Sequence, residues 1–183
     1  MSHDVRQTSK FLSYVLRHRP DEIGAQLDEH GWIDIDELLA KANAAGRHLT
    51  RQIIAEAVHT SDKQRFRISD DGTRIRASQG HSIEIHLDLP ARTPPDRLYH
   101  GTAERCLDSI LATGIDKRAR QHVHLSADIA TAQNVGTRHG RPVVLIVDSD
   151  AMHRNRHTFF CSDNGVWLTD HVPSKYLQCV VKD

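Results

Sequence analysis

Apolar residues recur at helical spacing between Asp4 and His18, with Val5, Phe11, Leu12, Val15 and Leu16 forming the stripe. Pro20 cannot continue that helix and disfavours helical backbone just before it, so Arg17 and His18 are expected on the last turn. A second helix is predicted to start at Asp34, with Glu37 three residues later as in a capping box and Gly46 as its stop. Thr50 can cap a third helix, carrying Ile53, Ile54, Ala57 and Val58 on one face. The period then changes to two. Phe66 and Ile68 alternate with Arg65 and Arg67, Ile75 and Ala77 alternate with Arg74 and Arg76, and Asp71-Gly72 between them signals a hairpin turn. Three short helices followed by a β-hairpin is the pattern of a winged helix.

Residues 88–96, DLPARTPPD, hold three prolines and read as a linker. Beyond it the texture is of short β-like runs: Leu98 to His100, Val123 to Leu125, Val143 to Val147, Thr158 to Cys161, Val166 to Leu168 and Leu177 to Val181. Helices are expected from Ala103 to Thr113, stopped by Gly114, and from Asp128 to Val135. The fold class is therefore α+β, with a first lobe at residues 1–90 and a mostly β, mixed second lobe at 91–183.

Of the 183 residues, 38% are hydrophobic and 26% charged, which describes a folded chain rather than a disordered one. No apolar run approaches the roughly 20 residues of a membrane span, and MSHDVRQTSKF lacks the apolar core of a secretory signal, so a cytoplasmic protein is expected. Cys106, Cys161 and Cys179 are odd in number and far apart, which argues against a disulfide framework or a structural zinc site and for small core residues. Formal net charge is zero, so a polyanion site has to come from local clusters.

Five segments offer such clusters. Arg17-His18-Arg19-Pro20 joins bidentate phosphate donors to a group that titrates near neutrality, although cations at a helix C-terminus also suit the dipole with no function at all. Lys63-Gln64-Arg65-Phe66-Arg67 puts Arg65 and Arg67 on one strand face; a solvated face is the plainer reading. Leu98-Tyr99-His100-Gly101-Thr102 looks like a strand entering a helix, where glycine admits a ligand and the helix N-terminus attracts anions; a turn and cap is the alternative. In Arg118-Ala119-Arg120-Gln121-His122-Val123-His124-Leu125-Ser126, two same-face histidines follow arginines. His-x-His is also a fragment of metal sites, but no third and fourth ligand accompany it, so no metal is expected. Gly136-Thr137-Arg138-His139-Gly140 reads as a flexible basic loop, and SDNGVWLT from Ser162 as a turn into a strand.

In that order, KFLSYVLRHRP, LDEHGWIDIDELL, KQRF, IRASQGHS, LYHGT, RQHVHLS and SDNGVWLT resemble the NAD-dependent RNA 2′-phosphotransferases associated with tRNA splicing, a family with bacterial members. The resemblance covers nearly the whole chain. It implies a winged-helix lobe that binds RNA and an ADP-ribosyltransferase-like lobe that binds NAD⁺ as co-substrate. It also implies a catalytic set of Arg17, His18, Arg65 and Arg120, with Arg118 and Arg138 as alternatives for the last. His100, Gly101, Thr102, His124, Leu125, Ser126 and Arg138 are the implied NAD⁺ contacts.

The implied reaction has two steps. The RNA 2′-phosphate displaces nicotinamide, and the ribose O2″ then attacks the phosphorus, freeing a 2′-OH and ADP-ribose 1″,2″-cyclic phosphate. Glu104 is the only glutamate after the linker, a composition suited to a phosphate acceptor that needs no base. The implied partner is RNA bearing a 2′-phosphate, no membrane is involved, and a monomer is expected. Two other readings share these residues: an ADP-ribosyltransferase acting on other acceptors, and a nucleic-acid-binding regulator without catalysis. Against the regulator, the third helix carries few base-reading side chains.

Overall fold

The computed structural model describes residues 3–61 and 64–179, so Lys63, Val180 and Val181 of the expectations above lie outside the described residues. The chain divides into two compact units, Met1–Asp88 and Leu89–Asp183. Both mix helices with small antiparallel sheets, so the class is α+β.

In the first unit, α1 (His3–Arg17) buries Val5, Leu12, Val15 and Leu16, the stripe that the helical spacing picks out. Burying each such leucine contributes about 1.5–3 kcal/mol. Pro20 does more than end this helix. Its fixed φ starts a 3₁₀ turn, Pro20–Ile23, which Gly24 closes in the left-handed region. Strand β1 (Ile33–Asp34) leads into α2 (Ile35–Ala44), whose N-cap is Asp34: its carboxylate accepts from the backbone N–H groups of Asp36 and Glu37. Thr50 caps α3 (Arg51–His59) by accepting from Ile53 N–H. The hairpin follows as β2 (Phe66–Ile68) and β3 (Arg74–Ala77), and the sheet order is β1-β3-β2. Simple alternation fails at one place: Arg76 is buried. Its guanidinium lies over the Trp32 ring, 4.7 Å from the centroid, and this cation–π contact replaces the expected solvent.

The second unit is built on β4 (Arg97–Ala103), β5 (Ile115–Asp116), β6 (Val123–Leu125), β7 (Pro142–Asp148), β8 (Phe160–Cys161), β9 (Trp167–Thr169), β10 (His171–Val172) and β11 (Leu177–Cys179). Its helices are α4 (Leu107–Thr113), α5 (Ile129–Gly136) and α6 (Ser149–Arg154). Two three-stranded sheets, β11-β7-β4 and β6-β9-β8, are joined where Tyr99 and Ser126 exchange backbone hydrogen bonds of 2.9 and 2.8 Å. Leu98, Leu125, Leu145, Val147, Met152 and Phe159 lie in the core of this unit.

Several expectations shift here. The helix expected from Ala103 begins only at Leu107, after a 3₁₀ turn at Glu104–Cys106, because Ala103 still pairs with Pro142 across the β4–β7 ladder. Residues 137–139 form a 3₁₀ turn on the end of α5 rather than a flexible loop. The Pro-rich linker is tied down at several points: Ala91 bridges Phe160, Arg92 donates its backbone N–H to the Phe159 carbonyl at 2.8 Å, and Ser149 Oγ donates to the Pro95 carbonyl at 2.6 Å. Cys106 and Cys161 are half-buried and Cys179 is exposed, so the cysteines are not uniformly core residues. Among the described residues, no helix is long and apolar enough to cross a membrane.

Candidate functional site

In the first unit, the candidate residues converge on the end of α1. The Arg17 guanidinium turns back to donate to the main-chain oxygen of Arg65 at 3.3 Å, so the two arginines are neighbours although 48 positions apart. The Arg65 guanidinium is half-buried and approaches Ser61 Oγ at 3.4 Å. His18 Nδ1 is hydrogen-bonded to Ser82 Oγ at 2.9 Å. Ser82 also donates its backbone N–H to the carbonyl of Arg17 at 3.0 Å. Arg67, on the same strand as Arg65, faces solvent beside Asp70.

Sequence reasoning assigned no role to the segment Gly80-His81-Ser82, and the structure brings all of it to this place. Gly80 has φ +89, and a Cβ there would touch the Arg17 guanidinium at 3.7 Å. His81 is 2% exposed, and neither ring nitrogen has a hydrogen-bond partner among the described residues. Burial pushes its imidazole down to about 4, with the positive charge of Arg17, His18 and Arg76 adding to the effect. The one signal available was IRASQGHS itself, where a histidine follows the apolar end of a strand.

The His81 shift has a measurable consequence. Its folded pKa lies below the ordinary value of about 6.5, so between pH 6.5 and 4 the unfolded chain binds the extra proton. Stability present above that window is lost as pH falls through it, by about 3 kcal/mol when complete. Urea unfolding at pH 7 and pH 4.5 is expected to show a smaller acid loss for His81→Leu than for the natural chain. Equal losses would rule out His81 as the cause.

In the second unit, three candidates are linked by hydrogen bonds. Arg120 donates to His124 Nδ1 at 2.6 Å, which places the proton of a neutral His124 ring on Nε2. His100, on β4, donates its Nδ1–H to the main-chain oxygen of His124 at 3.2 Å. Burial lowers the His100 pKa, so the ring is neutral and its Nε2 is an acceptor. Partial desolvation also lowers the Arg120 pKa, although the residue, like Arg118 and Arg138, is exposed. Arg118 is exposed with φ +54, and Arg138 is exposed on the 3₁₀ turn after α5. Neither takes part in this hydrogen-bonded chain, which leaves Arg120 as the arginine of the group.

The remaining candidates are of a different kind. Gly101 and Thr102 lie inside β4, not at a helix N-terminus. A Cβ on Gly101 would fall 1.7 Å from the carbonyl oxygen of Ala132, so the backbone that glycine admits is that of α5. Leu125 is 1% exposed in the core and paired with Trp167 across the β6–β9 ladder, so it fixes the strand and offers no surface of its own to a ligand. Ser126 is held through its main chain to Tyr99. His122 packs edge-on against Phe160 with centroids 5.7 Å apart. Among the described residues, no three His, Cys, Asp or Glu side chains gather as metal ligands would.

Known proteins resemble the chain over most of its length. The chain matches the family model described as RNA 2′-phosphotransferase, Tpt1/KptA family, over residues 2–171. A curated protein of Burkholderia lata named probable RNA 2′-phosphotransferase is 57% identical over 176 residues, spanning 96% of this chain and 91% of the relative. Proteins with the same name from Rhodopirellula baltica and Nostoc punctiforme are 55% and 53% identical. They span 93% of this chain each and 93% and 94% of their own lengths.

Proposed function

The chain belongs to the RNA 2′-phosphotransferase family, Tpt1/KptA, and from that premise we propose that it is a transferase that removes an internal 2′-phosphate from RNA with NAD⁺ as co-substrate. The observation that carries the reading is that Arg17, at the end of α1 and next to His18, donates its guanidinium to the main chain of Arg65, so 48 positions of chain fold back to bring these three residues to one helix end. That donor set suits the oxygens of a phosphate monoester.

The first unit, with three helices and the β2–β3 hairpin, is read as a winged-helix lobe that receives RNA. The second is read as an ADP-ribosyltransferase-like lobe that receives NAD⁺. Its residues fit such a ligand. A neutral His100 with an acceptor nitrogen suits a ribose hydroxyl or an amide N–H, and the Arg120–His124 pair offers donors to a pyrophosphate. Thr102 is buried within β4, so it supports the strand on which His100 stands. Gly101 serves NAD⁺ binding through that same strand, by letting α5 sit close. Ser126 contributes its half-buried side chain, since its main chain is bonded to Tyr99; Leu125 contributes by fixing the strand beneath, and Arg138 offers an exposed cation.

When bound, NAD⁺ supplies an electrophilic ribose carbon whose leaving group is nicotinamide. The chain's part is positional and electrostatic. Arg17 and Arg65 hold and neutralise the 2′-phosphate, which is already an anion and needs no general base. His18 delivers a proton to the 2′-oxygen as it leaves phosphorus. Arg120 is the fourth catalytic group, chosen over Arg118 and Arg138 because only it is bonded to His124.

The test is turnover of a short RNA with a single internal 2′-phosphate, with and without NAD⁺, resolved by gel and mass spectrometry. NAD⁺-dependent conversion to a 2′-OH is expected. RNA left unchanged while NAD⁺ is consumed would transfer the reading to another acceptor. If NAD⁺ is neither bound nor consumed, the enzymatic reading fails.

A further inference from the structure

We propose that Ser82 is a positioning residue for His18, holding Nδ1 through its hydroxyl so that Nε2 is the nitrogen that carries and delivers the proton. The inference rests on the reading of His18 as the proton donor. Three observations support it. Ser82 Oγ lies 2.9 Å from His18 Nδ1, across 64 positions of sequence. The same residue is fixed from its main chain, because its N–H donates to the carbonyl of Arg17 at 3.0 Å. The residue before it, His81, is 2% exposed and anchors the segment in the interior of the first unit, and Gly80 lies against the Arg17 guanidinium. One three-residue segment thus meets both Arg17 and His18.

The chemistry of a hydroxyl explains why serine suits the position. A carbonyl or carboxylate at Nδ1 can only accept, and so prefers a ring that keeps its proton there. A hydroxyl donates to the bare Nδ1 of a neutral imidazole and accepts from the N–H of an imidazolium. The bond therefore survives both halves of a proton-transfer cycle, and the ring does not turn between them. In the neutral state, Oγ–H donates to Nδ1 and the ring proton resides on Nε2. In the charged state, Nδ1–H donates to Oγ while Nε2–H remains the proton to give.

The experiment pairs a spectroscopic readout with kinetics on the full chain. With ¹⁵N-labelled histidine, the His18 signals are identified by their loss in His18→Asn. The natural chain is expected to show, for neutral His18, a hydrogen-bonded acceptor nitrogen at Nδ1 and a protonated Nε2. In Ser82→Ala, Nδ1 moves to the unbonded position and the two tautomers mix. With the 2′-phosphorylated RNA, Ser82→Ala is expected to lower kcat about 10-fold, the scale of one hydrogen bond. KM should stay near its natural value, and Ser82→Thr, which keeps the hydroxyl, should restore most of kcat. A neutral His18 protonated at Nδ1, or His18 signals unchanged in Ser82→Ala, overturns the proposal. So does a natural chain that turns over RNA while Ser82→Ala matches it in kcat. A natural chain with no turnover overturns the functional reading and this proposal together, and is thereby distinguished from failure of the proposal alone.

Discussion

His18→Ala is expected to lower removal of the RNA 2′-phosphate by about 10²–10⁴-fold, equivalent to roughly 3–5 kcal/mol of barrier. Nicotinamide release should fall less. The division follows from the charge on each reacting group. A phosphate monoester arrives as an anion, so its attack on a ribose carbon requires alignment and no proton removal. The departing 2′-oxygen leaves phosphorus as a poor alkoxide leaving group unless a proton reaches it. On the proposed reading, the His18 imidazole is the group that supplies that proton. Arg65→Ala should show the same split, because charge builds on the phosphoryl oxygens in that second stage. The measurement is nicotinamide release by chromatography against 2′-OH formation by gel, from the same reaction. Equal loss of both would mean that His18 orients the phosphate and does not move its proton.

Gly101→Ala is expected to destabilise the second unit by about 4 kcal/mol or more, a size reserved for severe steric or packing damage. The added Cβ would meet the Ala132 carbonyl oxygen at 1.7 Å and its carbon at 2.6 Å, both of them backbone atoms in the middle of α5. Neither can swing aside as a side-chain tip would, and β4 cannot withdraw because β7 pairs with it along its whole length. Gly136 repeats the arrangement from the helix side, with a Cβ 2.9 Å from the Thr102 carbonyl oxygen. The useful comparison is Gly165→Ala. That glycine has φ +76 and nothing within 4 Å, so only the left-handed backbone is penalised, by about 1–2 kcal/mol. Urea unfolding of the two variants should differ by at least about 2 kcal/mol on these figures. Near-equal values would mean that α5 can lift from β4. Activity lost in Gly101→Ala would then report a lost fold before it reported a lost ligand contact.

Local signals were legible wherever chemistry between near neighbours decides the structure. The α1 stripe, the Asp34 and Thr50 caps and the hairpin turn at Asp71-Gly72 each depend on residues a few positions apart. Arg17, His18, Arg65, His100, Arg120 and His124 were also named from sequence: their types suit phosphate and proton chemistry, and the ordered motifs that resemble the family singled them out. What could not be read was their partners. Ser82 for His18, the Arg65 main chain for Arg17 and the His124 carbonyl for His100 lie 64, 48 and 24 positions away. Two-residue strands such as β1, β5 and β10 were missed for a related reason: so short a run has no period, and only a distant partner defines it.

Composition and periodicity by themselves determined the α+β class, the helices of the first unit, and the residue types capable of meeting a phosphate. Only the tertiary structure decided which of those residues share a place, and which are there for packing. Gly101 illustrates the difference. Its sequence context suggests an approaching ligand, and the fold fills that space with the backbone of α5. His81 shows the converse, a histidine with no assigned role that is enclosed beside Arg17 and His18. The physical reason is common to both. Hydrogen-bond caps and amphipathic stripes act over a few residues and are written in order along the chain. Close packing and desolvation act between whatever surfaces the fold brings together, and distance along the chain places no limit on them.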